Sequence, residues 1–414
     1  MGRVTLLAVL CAGGFGGACR ERARTVQSEA ALLDLVHQLE TQAERITGLQ
    51  FKHQVAVRLR TRTQLRDYVT HKFDQDLPPA ELAGVEASYK LFGFIPDSLD
   101  LRRTMIALLT EQVAGYYDPD SGALFVPNDL SDRFQIRMVA AHELVHALQD
   151  QYMPLDSILD QRRHNDRRSA AEAVLEGQAT FYQISILMPE QHPETFPDNW
   201  FWRQRESTAL QQASMPQFAG APLWLRESLI FPYLRGADFI GWYVRTQHGH
   251  EPYGADMPVS TEQILHPDRY AAGDEPVTLA FPARSPDVVR YEDDLGEFEI
   301  GLLFAQLMGD ANEAKGSVYA QGWGGDRYQV YGPAKGADAI VWYTVWDTPG
   351  ARDRFVRGLI RAWAGRAGGS AGLRRGRRSS IESVTVEGLP GARLVDAPER
   401  WGGWKVLPEV HVLR

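Results

Sequence analysis

Cysteine is almost missing from this chain. Its 414 residues include two, Cys11 and Cys19, both near the N-terminus. The remainder can therefore close no disulfide, and its stability must come from its core and from any ion it binds. Long apolar runs are scarce as well. The stretch from Val4 to Ala18 follows Arg3 and ends in Gly16-Gly17-Ala18, which is too short for a stable membrane span and has the form of an export signal. No later stretch is long enough to cross a bilayer. An excess of basic residues is absent too. With 44 Lys and Arg against 53 Asp and Glu, the formal net charge is −9 with both signs interspersed, which argues against a nucleic-acid partner. No internal repeat is present.

The leader predicts an exported protein, periplasmic, on the cell surface or secreted. Two readings stand. Cys19 follows the cleavage point as in bacterial lipoproteins, so that membrane contact would be limited to a lipid anchor there; alternatively the chain is secreted after Ala18. Gly16 stands where lipoprotein signals usually carry Leu. A length of 414 residues with 44% hydrophobic residues suffices for a sizeable core and suggests two or three structural units.

One short segment specifies a chemistry. His142-Glu143-Leu144-Val145-His146 lies within the apolar run from Met138 to Leu148. It follows a helix start at Ser131-Asp132, with Ile136, Val139 and Ala140 at helical spacing and no Gly or Pro before Pro154. Histidines four apart on a helix differ by about 40° around its axis, so both imidazoles can ligate one metal ion, with zinc the expected cofactor. Glu143 sits about 100° from His142, placed to take a proton from zinc-bound water rather than to ligate.

Two histidines and a water leave one protein ligand to find. The metzincin pattern needs Gly and His soon after the second ligand, and Ala147-Leu148-Gln149-Asp150-Gln151-Tyr152 does not supply them. A carboxylate on another helix remains, and Ser169 to Met188, stopped by Pro189, reads as that helix. Ser169 and Glu172 form an S-x-x-E capping box that occupies Glu172 at the helix start. Glu176 lies one turn further in beside Val174, Leu175 and Ala179, where an unpaired carboxylate is costly. Glu176 is therefore the expected third ligand, with Glu172 and His164 as alternatives.

A HELVH helix followed by a helix carrying Glu176-Gly177-Gln178-Ala179 resembles the gluzincin metallopeptidases. The resemblance implies His142, His146 and Glu176 as zinc ligands and Glu143 as general base, with a peptide or protein substrate. Thermolysin-like members place an Asp four residues after the ligand Glu to orient the first His. This chain has Thr180 there, which leaves Gln178, Thr180 or Glu172 as substitutes. The stretches Glu111 to Pro119, Ala141 to Gln151, Ser260 to Pro267 and Gly322 to Arg327 also resemble a group of uncharacterised secreted or lipid-anchored bacterial and archaeal proteins with a metallopeptidase-like fold. That resemblance carries no substrate.

Peptide hydrolysis needs a donor for the developing oxyanion, and gluzincins use a His or Tyr. His266 is the first candidate, followed by Tyr233, Tyr243 and Arg327. His248-Gly249-His250 has no nearby acid and reads as a polar loop. Asp326-Arg327, after a Gly-rich turn, reads as an internal ion pair. Residues 112–117 and 123–126 flank the turn Asp118-Pro119-Asp120-Ser121-Gly122 and predict a β-hairpin. By resemblance, Ala123 to Val126 is either the edge along which an extended peptide adds a strand or part of an ordinary core hairpin.

The periodicities complete an α+β fold: a zincin-like metallopeptidase core with an N-terminal helical segment and a C-terminal α+β unit. Residues 1–18 are the signal peptide, 19–110 the mainly helical segment, 111–295 the catalytic region and 296–414 the C-terminal region. Helices are expected at Ser28 to Ile46, Gln64 to Phe73, Pro79 to Leu91, Leu99 to Gln112, Leu234 to Thr246, Phe298 to Met308 and Ala351 to Trp363. Strands are expected at His53 to Leu59, Ala339 to Trp346, Ile381 to Val386, Ala392 to Val395 and Lys405 to Val412. Pro189 to Pro232 reads as a cover in which Trp200, Trp202 and Trp224 either line a groove or pack. Arg366 to Ser380 reads as a loop whose Arg374, Arg375, Arg377 and Arg378 are either solvated or meet an anionic surface. The competing function is a non-catalytic envelope binding or scaffolding lipoprotein that retains a zinc site, and a cell-wall amidase ranks third.

Overall fold

The computed structural model describes residues 29–413 apart from 131, 154, 213, 247–249, 283–287, 310–313, 333–336 and 369–375. The leader with Cys11 and Cys19, and with them Ser131, His248, Arg374 and Arg375, lie outside the described residues. Helix α1 (Glu29–Thr47) buries Leu32, Leu35, Val36, Leu39 and Ala43 along one face. Its glutamates then cover the neighbouring backbone: Glu44 accepts from the Phe51 amide at 2.9 Å, and Glu40 and Glu29 accept from Val55 and Leu59 at 3.2 Å each. Those last contacts blunt the outer edge of β1 (Ala56–Arg60), whose free N–H groups would otherwise invite another strand.

Three helices follow: α2 (Arg62–Asp76), α3 (Pro79–Phe92) and α4 (Leu101–Gln112). Then comes the hairpin of β2 (Tyr116–Asp118) and β3 (Ala123–Pro127), as the turn residues predict. The sheet order is β1-β3-β2, with β1 parallel and β2 antiparallel to β3. This corrects the edge reading of Ala123 to Val126: β3 is the central strand, and the edge strand beside the HELVH helix is β2.

That helix is α5 (Arg133–Tyr152), started by the Asp132 carboxylate on the Phe134 and Gln135 amides. After α6 (Leu155–Leu159) comes α7 (Asn165–Leu187), which begins four residues before the expected Ser169. Its caps come from far along the chain, as Asp293 and Asp294 accept from the Asn165 and Asp166 amides at 2.9 and 2.8 Å. Ser169 and Glu172 therefore lie inside the helix and form no capping box; Glu172 instead faces Arg168 at 3.8 Å.

The cover contains three short helices, α8 (Trp200–Arg203), α9 (Arg205–Gln212) and α10 (Pro216–Gly220), before α11 (Leu223–Thr246). Pro232 falls inside α11 and does not end the cover as expected. Trp224 is fully buried and donates to Glu299, so it is a core residue; Trp202 carries the guanidinium of Arg235 over its ring at 4.2 Å. Helices α7 and α11 cross at glycines. A Cβ on Gly177 would stand 2.1 Å from the Gly236 carbonyl carbon, and one on Gly236 would stand 1.9 Å from the Ala173 oxygen. Backbone contact at this crossing is possible only because both residues lack a side chain.

Beyond α12 (Thr261–Leu265), α13 (Pro267–Ala271) and β4 (Leu279–Ala280) lies a five-stranded antiparallel sheet. Its strands are β5 (Val289–Asp293), β6 (Trp323–Tyr331), β7 (Ala339–Trp346), β8 (Arg377–Val386) and β9 (Leu389–Pro398), in the order β5-β6-β7-β9-β8. Helices α14 (Gly296–Met308), α15 (Ser317–Ala320) and α16 (Pro349–Gly368) accompany it. Apolar residues of α2, α7, α11, α14 and this sheet share one core. A second core joins α1 to the outer face of α5 through Leu35, Leu39, Ala140 and Leu144.

Near the C-terminus only β10 (His411–Val412) is extended where Lys405 to Val412 was expected. The predicted Arg366 to Ser380 loop is shorter at both ends. Arg366 lies on α16 and donates to the Leu91 carbonyl at 2.6 Å, while Arg377 is in β8 and donates to Asp396 at 2.6 Å. The fold is thus a mixture of helices and mainly antiparallel sheet, α+β in class. Among the described residues, no helix is long and apolar enough to cross a membrane.

Candidate metal centre

The HELVH helix delivers its two histidines inward. His142 and His146 are 1% and 0% exposed, and their ring centroids lie 4.8 Å apart. Helix α7 packs against α5 and brings Glu176 between them: its Oε2 is 3.1 Å from His142 Nε2 and 3.4 Å from His146 Nε2. Each of the three offers a ligand atom, and those atoms lie within 4.8 Å of one another. Glu176, rather than Glu172, therefore joins the pair. His164 stands 3.5 Å from Asp294 instead.

Charge and burial define the group. Burial lowers His142. Burial also lowers His146, but the Glu176 carboxylate beside it more than offsets this and raises it. Burial pushes Glu176 up, yet the histidines outweigh it and hold its carboxyl at about 2. Although His146 Nε2 lies 3.4 Å from Glu176, it is buried without a hydrogen-bond partner. Two buried imidazole nitrogens that converge on one carboxylate oxygen, at 3.1 and 3.4 Å, fit a bound cation.

Residues 287–396 match a family model described as a domain of unknown function, DUF8575. No curated protein and no solved structure matches the chain. The matched stretch holds Asp293 and Asp294, which cap α7, so it supports the start of the helix that carries Glu176 without contributing to the His142, His146 and Glu176 group.

Glu143 is fully buried, and its Oε2 accepts from the Tyr117 amide of β2 at 2.7 Å. Tyr117 is held at its other end as well, its hydroxyl donating to Asp150 at 2.9 Å. Tyr233 from α11 lays its ring near His142, with centroids 5.9 Å apart and planes inclined by 26°. Burial, together with the Glu176 and Glu143 carboxylates, pushes the Tyr233 hydroxyl well above its ordinary range, and that hydroxyl is within hydrogen-bonding reach of Glu176. It stays protonated and is a donor.

The other expected donors are engaged elsewhere. His266 caps α12 and stands 3.0 Å from Glu297, whose carboxylate raises it. Tyr243 meets His250 Nδ1 at 2.9 Å. Arg327 donates to Glu292 at 2.7 Å rather than pairing with the adjacent Asp326 as expected, and Asp326 accepts from the Leu295 and Gly296 amides and from Trp323 and Trp342. Gln149 is a contact that the sequence did not single out, its Oε1 lying 2.7 Å from His146 Nδ1. The available signal was its place three residues after His146, on the same helical face.

Proposed function

We propose that the chain is an exported zinc-dependent metallopeptidase of gluzincin type that hydrolyses peptide or protein substrates. The observation that carries the reading is a buried carboxylate, Glu143, oriented by a backbone amide beside a His142, His146 and Glu176 group. Two histidines and one carboxylate are a donor set of catalytic zinc, with a position left for water. The Glu176 carboxylate lies 3.1 and 3.4 Å from the two histidine nitrogens, and the ligand atoms of all three residues lie within 4.8 Å of one another, close enough to share one ion. The export reading rests on the leader alone.

His142, His146 and Glu176 would hold the zinc, whose chemistry when bound is to acidify a water molecule and polarise a peptide carbonyl. Glu143 takes the proton of the attacking water and passes it to the leaving amine. Tyr233 donates to the oxygen on which negative charge develops, the role expected first of His266. The Tyr117 amide holds one oxygen of Glu143 in place.

Near-complete burial of the ligands and Glu143 favours a second reading, a non-catalytic envelope protein in which zinc serves structure or grip. Glu143→Gln separates the two. On the peptidase reading the variant binds zinc with nearly unchanged affinity and loses most turnover of a peptide library; full retained turnover would contradict the role of Glu143.

A further inference from the structure

We infer that Gln149 is a positioning residue that fixes the tautomer of His146 and so presents Nε2 to the metal. This rests on the metal-site reading above and concerns the control of that same site. A group with only one possible hydrogen-bonding role decides the orientation of the Gln149 amide. The Leu175 carbonyl can only accept, and Gln149 Nε2 lies 3.0 Å from it. The amide end of Gln149 must therefore face Leu175, which turns Oε1 toward His146 Nδ1 at 2.7 Å. An amide oxygen has no proton to give, so Nδ1 must carry the hydrogen and Nε2 is left to bind the ion.

The second amide hydrogen of Gln149 is fixed in the same way. Its Nε2 donates to Gln178 Oε1 at 2.6 Å, and Gln178 Nε2 donates to the Glu251 carboxylate at 2.7 Å. Glu251 also accepts from Tyr182 at 2.7 Å, and Tyr253 donates to Gln178 Oε1. Both glutamines are 2% exposed, so water does not compete for these contacts. A main-chain carbonyl and a partly buried carboxylate thus settle the orientation of two amides, and through them the face that His146 turns to the metal. Gln178, expected from the sequence as a partner for His142, acts instead on His146 through Gln149.

The test is zinc affinity, read by competition with a chromophoric chelator, for the parent, Gln149→Leu and Gln263→Leu. Gln263 is a comparably buried amide, 4% exposed and bonded to the Val259 amide and the Asp274 carbonyl, so it controls for the general cost of removing a buried amide. Gln149→Leu is expected to lose roughly 10- to 100-fold in affinity, the usual effect of removing the partner of a ligand histidine, while Gln263→Leu keeps parental affinity. Equal affinity for Gln149→Leu and the parent, or an equal loss in both variants, overturns the inference. Absence of zinc from the folded parent would instead refute the metal-site reading itself. Should Gln149→Leu fail to fold, nitrogen-resolved NMR of the zinc-loaded parent decides: a slowly exchanging Nδ1 proton on His146 supports the inference, and a protonated Nε2 overturns it.

Discussion

Glu176 and Glu172 lie one turn apart on one helical face, and the sequence separated them by an argument only half of which holds. The capping box is absent because α7 starts upstream, yet the cost of a mid-helix carboxylate in apolar surroundings still points to Glu176. Its partners are the two histidines. Tyr233, the proposed oxyanion donor, was less legible, since a lone His or Tyr has no spacing signature and the packing of α11 against α7 brings it beside His142. For Tyr233→Phe we expect on the order of a 100-fold fall in kcat, with zinc content unchanged. Steady-state kinetics beside metal analysis check this, and an unaltered kcat would return the donor role to another group.

At the scale of elements, periodicity located most helices because each buries a regular stripe, as Leu32, Leu35, Val36 and Leu39 do in α1. It failed where an element depends on distant residues. Asp293 and Asp294 stand 128 positions after the amides they cap, so nothing local marks the start of α7. Pro232 marked a boundary in the sequence, but a helix held on a long packed face tolerates one missing N–H. Gly177 and Gly236 carry the clearest element-level consequence. Gly236→Ala should destabilise the chain by about 2 kcal/mol or more, because its Cβ would meet the Ala173 oxygen at 1.9 Å. Denaturant titration measures this, and an unchanged midpoint would mean that the helices can separate without cost.

The whole molecule is rich in buried acids. Burial, with neighbouring Glu297, pushes Glu262 up to about 8, and burial pushes Glu299 up to about 7. In the folded chain these groups keep protons that the unfolded chain releases near 4.5. Their contribution is full below that pH and is lost as pH rises through 7 to 8. The raised His146 acts in the same direction and the lowered His142 in the opposite one, while Glu176, held at about 2, is constant across this window. The metal-free chain should therefore lose thermal stability between about pH 5 and pH 8.5. Scans in chelating buffer test this, and a flat or rising midpoint would contradict it.

The α+β class was legible from the mixture of periodicities, and the convergence of His142 and His146 from their spacing. The inner partners of the site were not, because Tyr117, Gln149 and Tyr233 reach it through tertiary packing. The central claim is that His142, His146 and Glu176 form one zinc site, and metal analysis of the purified chain beside Glu176→Ala, after dialysis against a weak chelator, tests it most directly. About one zinc per chain in the parent and substantial loss in the variant is the result predicted from the donor set. No zinc in the folded parent, or equal zinc in both, would contradict it.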